Sequence, residues 1–154
     1  MFGIEKYLLP TKLYHMQILL SIILYFTNYK NYVEEYFGEW DDNVQIKMFA
    51  DIMEKDAKRT YIITIDGKMV GFFSDGEDNE EGYHPNNLCL LPECRGKGIG
   101  SDILNKVLNK HKHKDILLRV FKSNPAQNLY KRMGFEIYDE TKSHYLMIKK
   151  NNRK

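Results

Sequence analysis

Cysteine is scarce in this chain. Only Cys89 and Cys94 occur among its 154 residues, five positions apart. Two thiols cannot supply the four ligands of a structural zinc site, nor the paired bridges of a disulfide scaffold. They predict free thiols in a reducing compartment, and so the cytoplasm. Proline is limited to four residues, and no stretch rich in Pro, Gly or Ser divides the chain. No repeat or low-complexity tract is present either, so the sequence predicts one domain over residues 1–154, long enough to bury a core. Charge of one sign is lacking too: 23 basic against 21 acidic side chains leave a net charge of +2. Such a balance gives no global field toward nucleic acid or a membrane surface. Long apolar runs are also absent. The most apolar segment, Met16–Phe26, is about half the roughly 20 residues a spanning helix needs. It stands behind Glu5, Pro10 and Lys12, unlike a signal peptide, and reads as a buried helix.

What is present is a change of period along the chain. Residues 12–30 carry a wide apolar face (Leu13, Ile18, Leu19, Ile22, Ile23, Phe26), and residues 42–58 a second one with Val44, Met48, Ile52 and Met53 in near-helical register. Between them lies the aromatic segment Tyr36-Phe37-Gly38-Glu39-Trp40. Tyr61–Ile65 and Lys68–Phe73 flank Asp66-Gly67, the signature of a hairpin on a type I′ turn. An acidic loop, Asp75–Glu81, follows, and Leu88–Leu91 reads as a short buried strand. From Gly98 the spacing is helical, with Ile99, Ile103, Leu104, Val107 and Leu108 on one face. That helix ends in His111-Lys112-His113-Lys114, cations suited to the C-terminal end of a helix dipole. Ile116–Phe121 is a strand, Ser123-Asn124-Pro125 opens a helix that Gly134 closes, and Phe135–Tyr138 and Tyr145–Ile148 are final strands. The order predicts an α+β domain around a mixed central sheet flanked by helices.

The chemistry is concentrated in Leu88-Cys-Leu-Leu-Pro-Glu-Cys-Arg-Gly-Lys-Gly-Ile-Gly-Ser101. A strand feeding a glycine-rich loop into a helix N-terminus builds an anion site, because successive bare N–H groups and the helix dipole face the same ligand. Arg95 and Lys97 add formal charge. The spacing of Gly96, Gly98 and Gly100 is neither the G-x-G-x-x-G of dinucleotide folds nor the G-x4-G-K-[ST] of a P-loop. It resembles instead the acetyl-CoA loop of the GNAT N-acetyltransferase superfamily, [QR]-x-x-G-x-[GA], which Arg95–Gly100 fits at every position. Ser123–Phe135 resembles that family's second cofactor-side motif, N-x5-Y-x3-G-F. Together the two stretches anchor a likeness over residues 61–148, leaving residues 1–60 as a helical acceptor-side region.

The resemblance implies splayed fourth and fifth strands, with acetyl-CoA as co-substrate and no metal. Its pyrophosphate would lie on the amides of Gly96, Lys97, Gly98, Ile99, Gly100 and Ser101, with Arg95 and Lys97 supplying charge. Pantetheine would run along Leu88, Cys89 and Leu90, an amide near Leu90 would polarise the thioester carbonyl, and Asn124 would contact the cofactor. Tyr130 would be the general acid for the departing thiolate. Family members often place a Glu on the fourth or fifth strand as base; here those positions offer Asn87, Leu88, Cys89, Leu90 and Arg119. Glu80, Glu81 and His84 lie just upstream, and Glu81 or His84 is the base candidate, beside a water chain ending on backbone carbonyls. The acceptor would be a small-molecule or peptide amine: a polyamine, an amino sugar, an amino acid or a protein N-terminus. Trp40 and Tyr36 are candidates for its site, through stacking or a cation held over a ring, or else anchor their loop. The acidic run reads as a solvated hairpin loop, which near the acceptor cleft would attract a cationic amine. Members of the superfamily often dimerise. The rival reading is a non-catalytic acyl-CoA sensor or partner module. The Lys-rich segment Lys106–Lys114 lacks a wider basic face and reads as a solvated helix end.

Overall fold

The computed structural model describes residues 3–6 and 11–151, with side-chain surroundings from Ile18 onward; Leu13, on the apolar face above, lies outside the latter. The chain forms two compact units, one from residues 1–75 and 87–99, the other from 76–86 and 100–154.

The first unit holds β1 (Gly3–Lys6), α1 (Thr11–Phe37), α2 (Asp42–Asp56), β2 (Thr60–Ile65), β3 (Lys68–Ser74) and β6 (Leu88–Leu90). Its sheet runs β1-β2-β3-β6, antiparallel throughout. The β2–β3 hairpin turns where the sequence places it: Asp66 and Gly67 have φ of 50° and 74°, the paired positive values a type I′ turn demands. Thr64 opposes Met69 while Ile63 opposes Gly71, so Val70 is an extra residue in the ladder, a bulge. Gly71 lets β6 close on β3, since a Cβ there would lie 2.3 Å from the Cys89 carbonyl oxygen.

The helices depart from the sequence reading. α1 runs on to Phe37 and stops at Gly38, so Tyr36 and Phe37 belong to it. Nor is Met16–Phe26 buried over its described residues, 18–26: Leu19, Leu20 and Ile23 are exposed while Ser21 and Leu24 are buried. α2 starts on Asp41, whose carboxylate accepts from the amides of Asn43 and Val44, as an N-cap should. Its buried face is Gln45, Phe49, Met53 and Asp56, whereas Val44 and Met48 face outward. Asp56 is tolerated inside because the Arg59 guanidinium donates to it. Phe49 joins Leu24, Met53, Ile62, Phe72 and Cys89 in one core.

The second unit holds β4 (Glu77–Asp78), β5 (Tyr83–His84), α3 (Ile99–Lys110, which begins at the unit boundary), β7 (Ile116–Phe121), α4 (Ala126–Arg132), β8 (Glu136–Glu140) and β9 (His144–Lys149). Its sheet runs β4-β5-β7-β9-β8, with β5 and β7 parallel and the other pairs antiparallel. The strands thus divide between two sheets, only the second of them mixed. The acidic loop of the sequence reading is here a small β4–β5 hairpin, and Asp78 within it pairs with Lys114 at 3.0 Å. α3 buries all five residues its period selects: Ile99, Ile103, Leu104, Val107 and Leu108. Its end is not simply solvated, because His111 is buried and stacks on the Tyr83 ring, centroids 3.6 Å apart.

Candidate active site

The glycine loop begins where β6 ends. Leu91 N donates to Val70 O at 2.9 Å, and Asn87 O accepts from Ser74 N at 2.8 Å. With Phe72 opposite Cys89, the alternation of an antiparallel ladder aims the Cys89 N–H and C=O at β3. The amides and carbonyls of Leu88 and Leu90 therefore point to the outer edge of the sheet, of which β6 is the last strand. A one-turn helix, Pro92–Cys94, then reverses the chain. Gly96 and Gly98 follow with φ of 71° and 85°, and Lys97 between them is not in the left-handed region. Such alternation turns consecutive N–H groups to one side, a concavity for an anion. The loop is exposed from Arg95 to Gly98, and Cβ atoms at Gly96 or Gly98 would meet nothing within 4 Å. Ile99, 3% exposed, anchors the start of α3; Gly100 and Ser101 in its first turn are half-buried.

Arg95, the expected phosphate cation, also has protein partners. Its Nε donates to Leu90 O at 3.2 Å, and its Nη2 to Asn28 Oδ1 at 2.8 Å. Asn28, and Tyr29 beside it, which donates to Asn87 Oδ1 at 3.0 Å, are residues the sequence reading passed over. Their signal is the polar stripe Tyr25, Asn28, Tyr29, Tyr32 and Tyr36 at helical spacing in α1.

Cys89 is 1% exposed. Burial pushes its thiol up to about 12, against smaller lowering effects of a Tyr29 hydrogen bond and the Arg95 charge. It stays a neutral thiol at physiological pH and is no acyl-accepting nucleophile. Because the folded state holds this proton longer than the unfolded one, stability falls as pH rises from about 9 toward 12. Urea titrations across that window are expected to show wild type losing roughly 1 kcal/mol per pH unit more than Cys89→Ser; equal slopes would contradict the assignment.

In the second unit, Tyr130 is half-buried in the last turn of α4, its ring edge-on to Phe135 at 5.8 Å. Phe135 N donates to Tyr130 O and Gly134 N to Lys131 O, each at 3.0 Å, a Schellman end that fixes this turn. Asn124 Oδ1 accepts from Ala126 N at 2.9 Å and starts the helix. Glu81 and His84 come together at the β4–β5 hairpin. His84 Nε2 lies 3.1 Å from Asn79 Oδ1 and 3.9 Å from Glu81 Oε2, and Asn79 Oδ1 also accepts from Glu81 N at 2.9 Å. Glu81, with Glu80, Lys114 and Lys150, lines an open cavity of about 520 Å³; His84 does not. In the first unit, Trp40 sits edge-on to Phe26 at 4.9 Å and donates its Nε1–H to Asp42 at 2.7 Å, which makes it an anchor of the α1–α2 turn. Tyr36 is half-buried on α1. Among the described residues, no group of three His, Cys, Asp or Glu is placed to hold a metal, and no helix is long and apolar enough to cross a membrane.

Residues 56–137, more than half of the chain, match the family described as the Acetyltransferase (GNAT) domain. The chain belongs to the GNAT family. The GNAT match takes in both quoted motifs and leaves α1 and nearly all of α2 outside. An uncharacterized N-acetyltransferase of Methanocaldococcus jannaschii (MJ1207) is 26% identical over 142 residues, covering 82% of this chain and 60% of that protein. The chain spans about half to two thirds of the length of the curated relatives it matches. The crystal structure of PH1933 from Pyrococcus horikoshii superposes with a TM-score of 0.72 at 27% identity, covering 99% of each chain. The PaiA N-acetyltransferase of Thermoplasma acidophilum, solved in complex with coenzyme A, gives 0.68 at 18% identity, covering 97% of this chain and 99% of that one. These structures share the GNAT fold.

Proposed function

We propose that this GNAT chain transfers the acetyl group of acetyl-CoA to a primary amine by direct attack in a ternary complex. The observation that carries the reading is the loop at Arg95–Gly98: two left-handed glycines leading from an edge strand with outward amides into the N-terminus of α3. That is a cradle for a pyrophosphate continued by a strand-like track for pantetheine, and coenzyme A is bound by the PaiA neighbour. The pyrophosphate takes the amides from Gly96 to Ser101, with Lys97 adding charge, and Asn124 contacts the cofactor.

Pantetheine runs along the outer edge of β6, where the Leu90 N–H faces the thioester oxygen. The amine, free of its extra proton, attacks the carbonyl carbon; a C–N bond forms and the carbonyl electron pair moves to oxygen, stabilised by that fixed dipole. Collapse re-forms C=O and breaks C–S. Tyr130, as general acid, donates its phenolic hydrogen bond to the sulfur as the C–S bond breaks, and the thiol's proton comes finally from water. The proton leaving nitrogen passes through water to Glu81 or His84. The neutral, buried Cys89 supports one-step transfer over an acyl-enzyme. The acceptor is a small-molecule or peptide amine that enters beside the helical region of residues 1–60.

Calorimetric titration of the full chain with acetyl-CoA tests the cofactor. Thiol release then tests transfer to four acceptors: spermidine, glucosamine, lysine and a peptide with a free N-terminus. Micromolar binding with amine-dependent release is the expected result. Binding without release to any acceptor would favour the sensor reading, and no binding by the folded protein would overturn both.

A further inference from the structure

We propose that Asn28 is a positioning residue for acyl transfer: through Arg95 it holds the outward backbone of Leu90, the group that polarises the thioester. The inference rests on the acetyl-transfer reading above. Asn28 lies on α1 and Leu90 ends β6, 62 residues later, yet three hydrogen bonds join them. Asn28 Oδ1 receives Arg95 Nη2 at 2.8 Å, Arg95 Nε donates to Leu90 O at 3.2 Å, and Asn28 Nδ2 reaches Leu90 O at 3.5 Å. Asn28 is itself fixed, its Nδ2 donating to Leu24 O at 2.7 Å. At the other end of the strand the next residue, Tyr29, holds Asn87 at 3.0 Å. Two consecutive helix residues thus grip both ends of a three-residue strand.

The grip matters because β6 is the edge of its sheet. On its inner side the ladder to β3 restrains it; on its outer side, among the described residues, no strand does. In an antiparallel strand a residue's N–H and C=O leave on the same side. The Leu90 N–H shares its peptide plane with the Cys89 carbonyl, which faces β3, and the Leu90 carbonyl lies in the next plane. Holding that second plane as well fixes the φ and ψ of Leu90 and limits how far its N–H can swing. An oxyanion donor is effective only when its direction is set before the reaction. A cross-link serving stability alone could join α1 to any carbonyl of the sheet; this one reaches the outward carbonyl of the residue whose amide does the work.

The test reads the thioester itself and needs no knowledge of the amine. Acetyl-CoA labelled with carbon-13 at the carbonyl is bound at saturation, and its stretch is isolated by difference infrared spectroscopy. In wild type the bound band is expected below that of free acetyl-CoA. Asn28→Ala should move it back toward the free value while affinity, by calorimetry, changes less than about fivefold, the net worth of one hydrogen bond. Asn28→Asp keeps an acceptor for Arg95 but turns an oxygen on the Leu90 carbonyl, and should shift the band likewise. Arg95→Met, at an exposed position, supplies the reading if the helix variants do not fold. An unshifted wild-type band with tight binding, or wild-type bands in the Asn28 variants, would overturn the proposal and leave acetyl transfer standing. Failure of wild type to bind acetyl-CoA would instead remove the reading beneath it.

Discussion

Tyr130→Phe is expected to lower turnover roughly 10- to 100-fold and leave acetyl-CoA affinity nearly unchanged. The substitution removes one oxygen together with its hydrogen bonding and keeps the ring. The ring's edge-on contact with Phe135 survives, and the Schellman hydrogen bonds that close α4 are made by backbone atoms. The fold should therefore tolerate it, and a thermal melt serves as the control. The size follows from the acidities involved. A phenol of pKa about 10 is a weaker acid than a thiol of about 8.5, so complete transfer to a free thiolate is uphill by about 2 kcal/mol. The benefit comes from hydrogen bonding to sulfur as charge builds during C–S cleavage, which places the effect at or below the low end of general-acid contributions. Stopped-turnover assays with the acceptor found in the panel, run beside calorimetry, separate kcat from binding. Unchanged kcat would mean that Tyr130 only packs its turn and that the thiolate leaves without an acid.

What could be read from the sequence was what lies in consecutive residues or in a clean period. α3 is one case: its apolar residues occupy one stripe among polar ones, and all five are buried. The Asp66-Gly67 turn is another, because the backbone demand is local and only a few residue types meet it. α1 defeats the same method. Ile18 to Phe26 is apolar nearly all round, so period alone cannot choose a face, and the residues buried among the described ones are Ser21 and Leu24. α2 misleads through polar residues: Gln45 and Asp56 are inside, the latter because Arg59 neutralises it nearby. In the candidate site the glycine loop was legible as a word, whereas the partner of Arg95 was not. Asn28 lies 67 residues from it, and only the packing of α1 against β6 reveals the pair. The contact between the two base candidates is hidden for a related reason. Glu81 and His84 meet through Asn79 on a hairpin too short to carry a strand pattern.

Gly98→Glu is expected to weaken acetyl-CoA binding at least about 100-fold. Two effects add. The φ of 85° is a region that costs a residue with a side chain roughly 1–2 kcal/mol, so the variant tends to turn its amide away from the common direction. The carboxylate then lies among the N–H groups meant for the pyrophosphate, where like-charge repulsion across about 5 Å contributes on the order of 1–3 kcal/mol in a half-solvated site. No clash confuses the result, since a Cβ at Gly98 would meet nothing within 4 Å. Gly98→Ala isolates the first effect and should weaken binding about tenfold; the further loss in the Glu variant should shrink as salt is raised, because exposed charges are screened. Acetyl-pantetheine gives the decisive comparison. It carries the thioester but no pyrophosphate, so wild type and Gly98→Glu should acetylate the same amine from it at equal rates. If the variant failed equally with both donors, the loop would be holding the catalytic strand in shape and not the phosphates. Loss confined to acetyl-CoA would assign the two left-handed glycines to the pyrophosphate, as their amides imply.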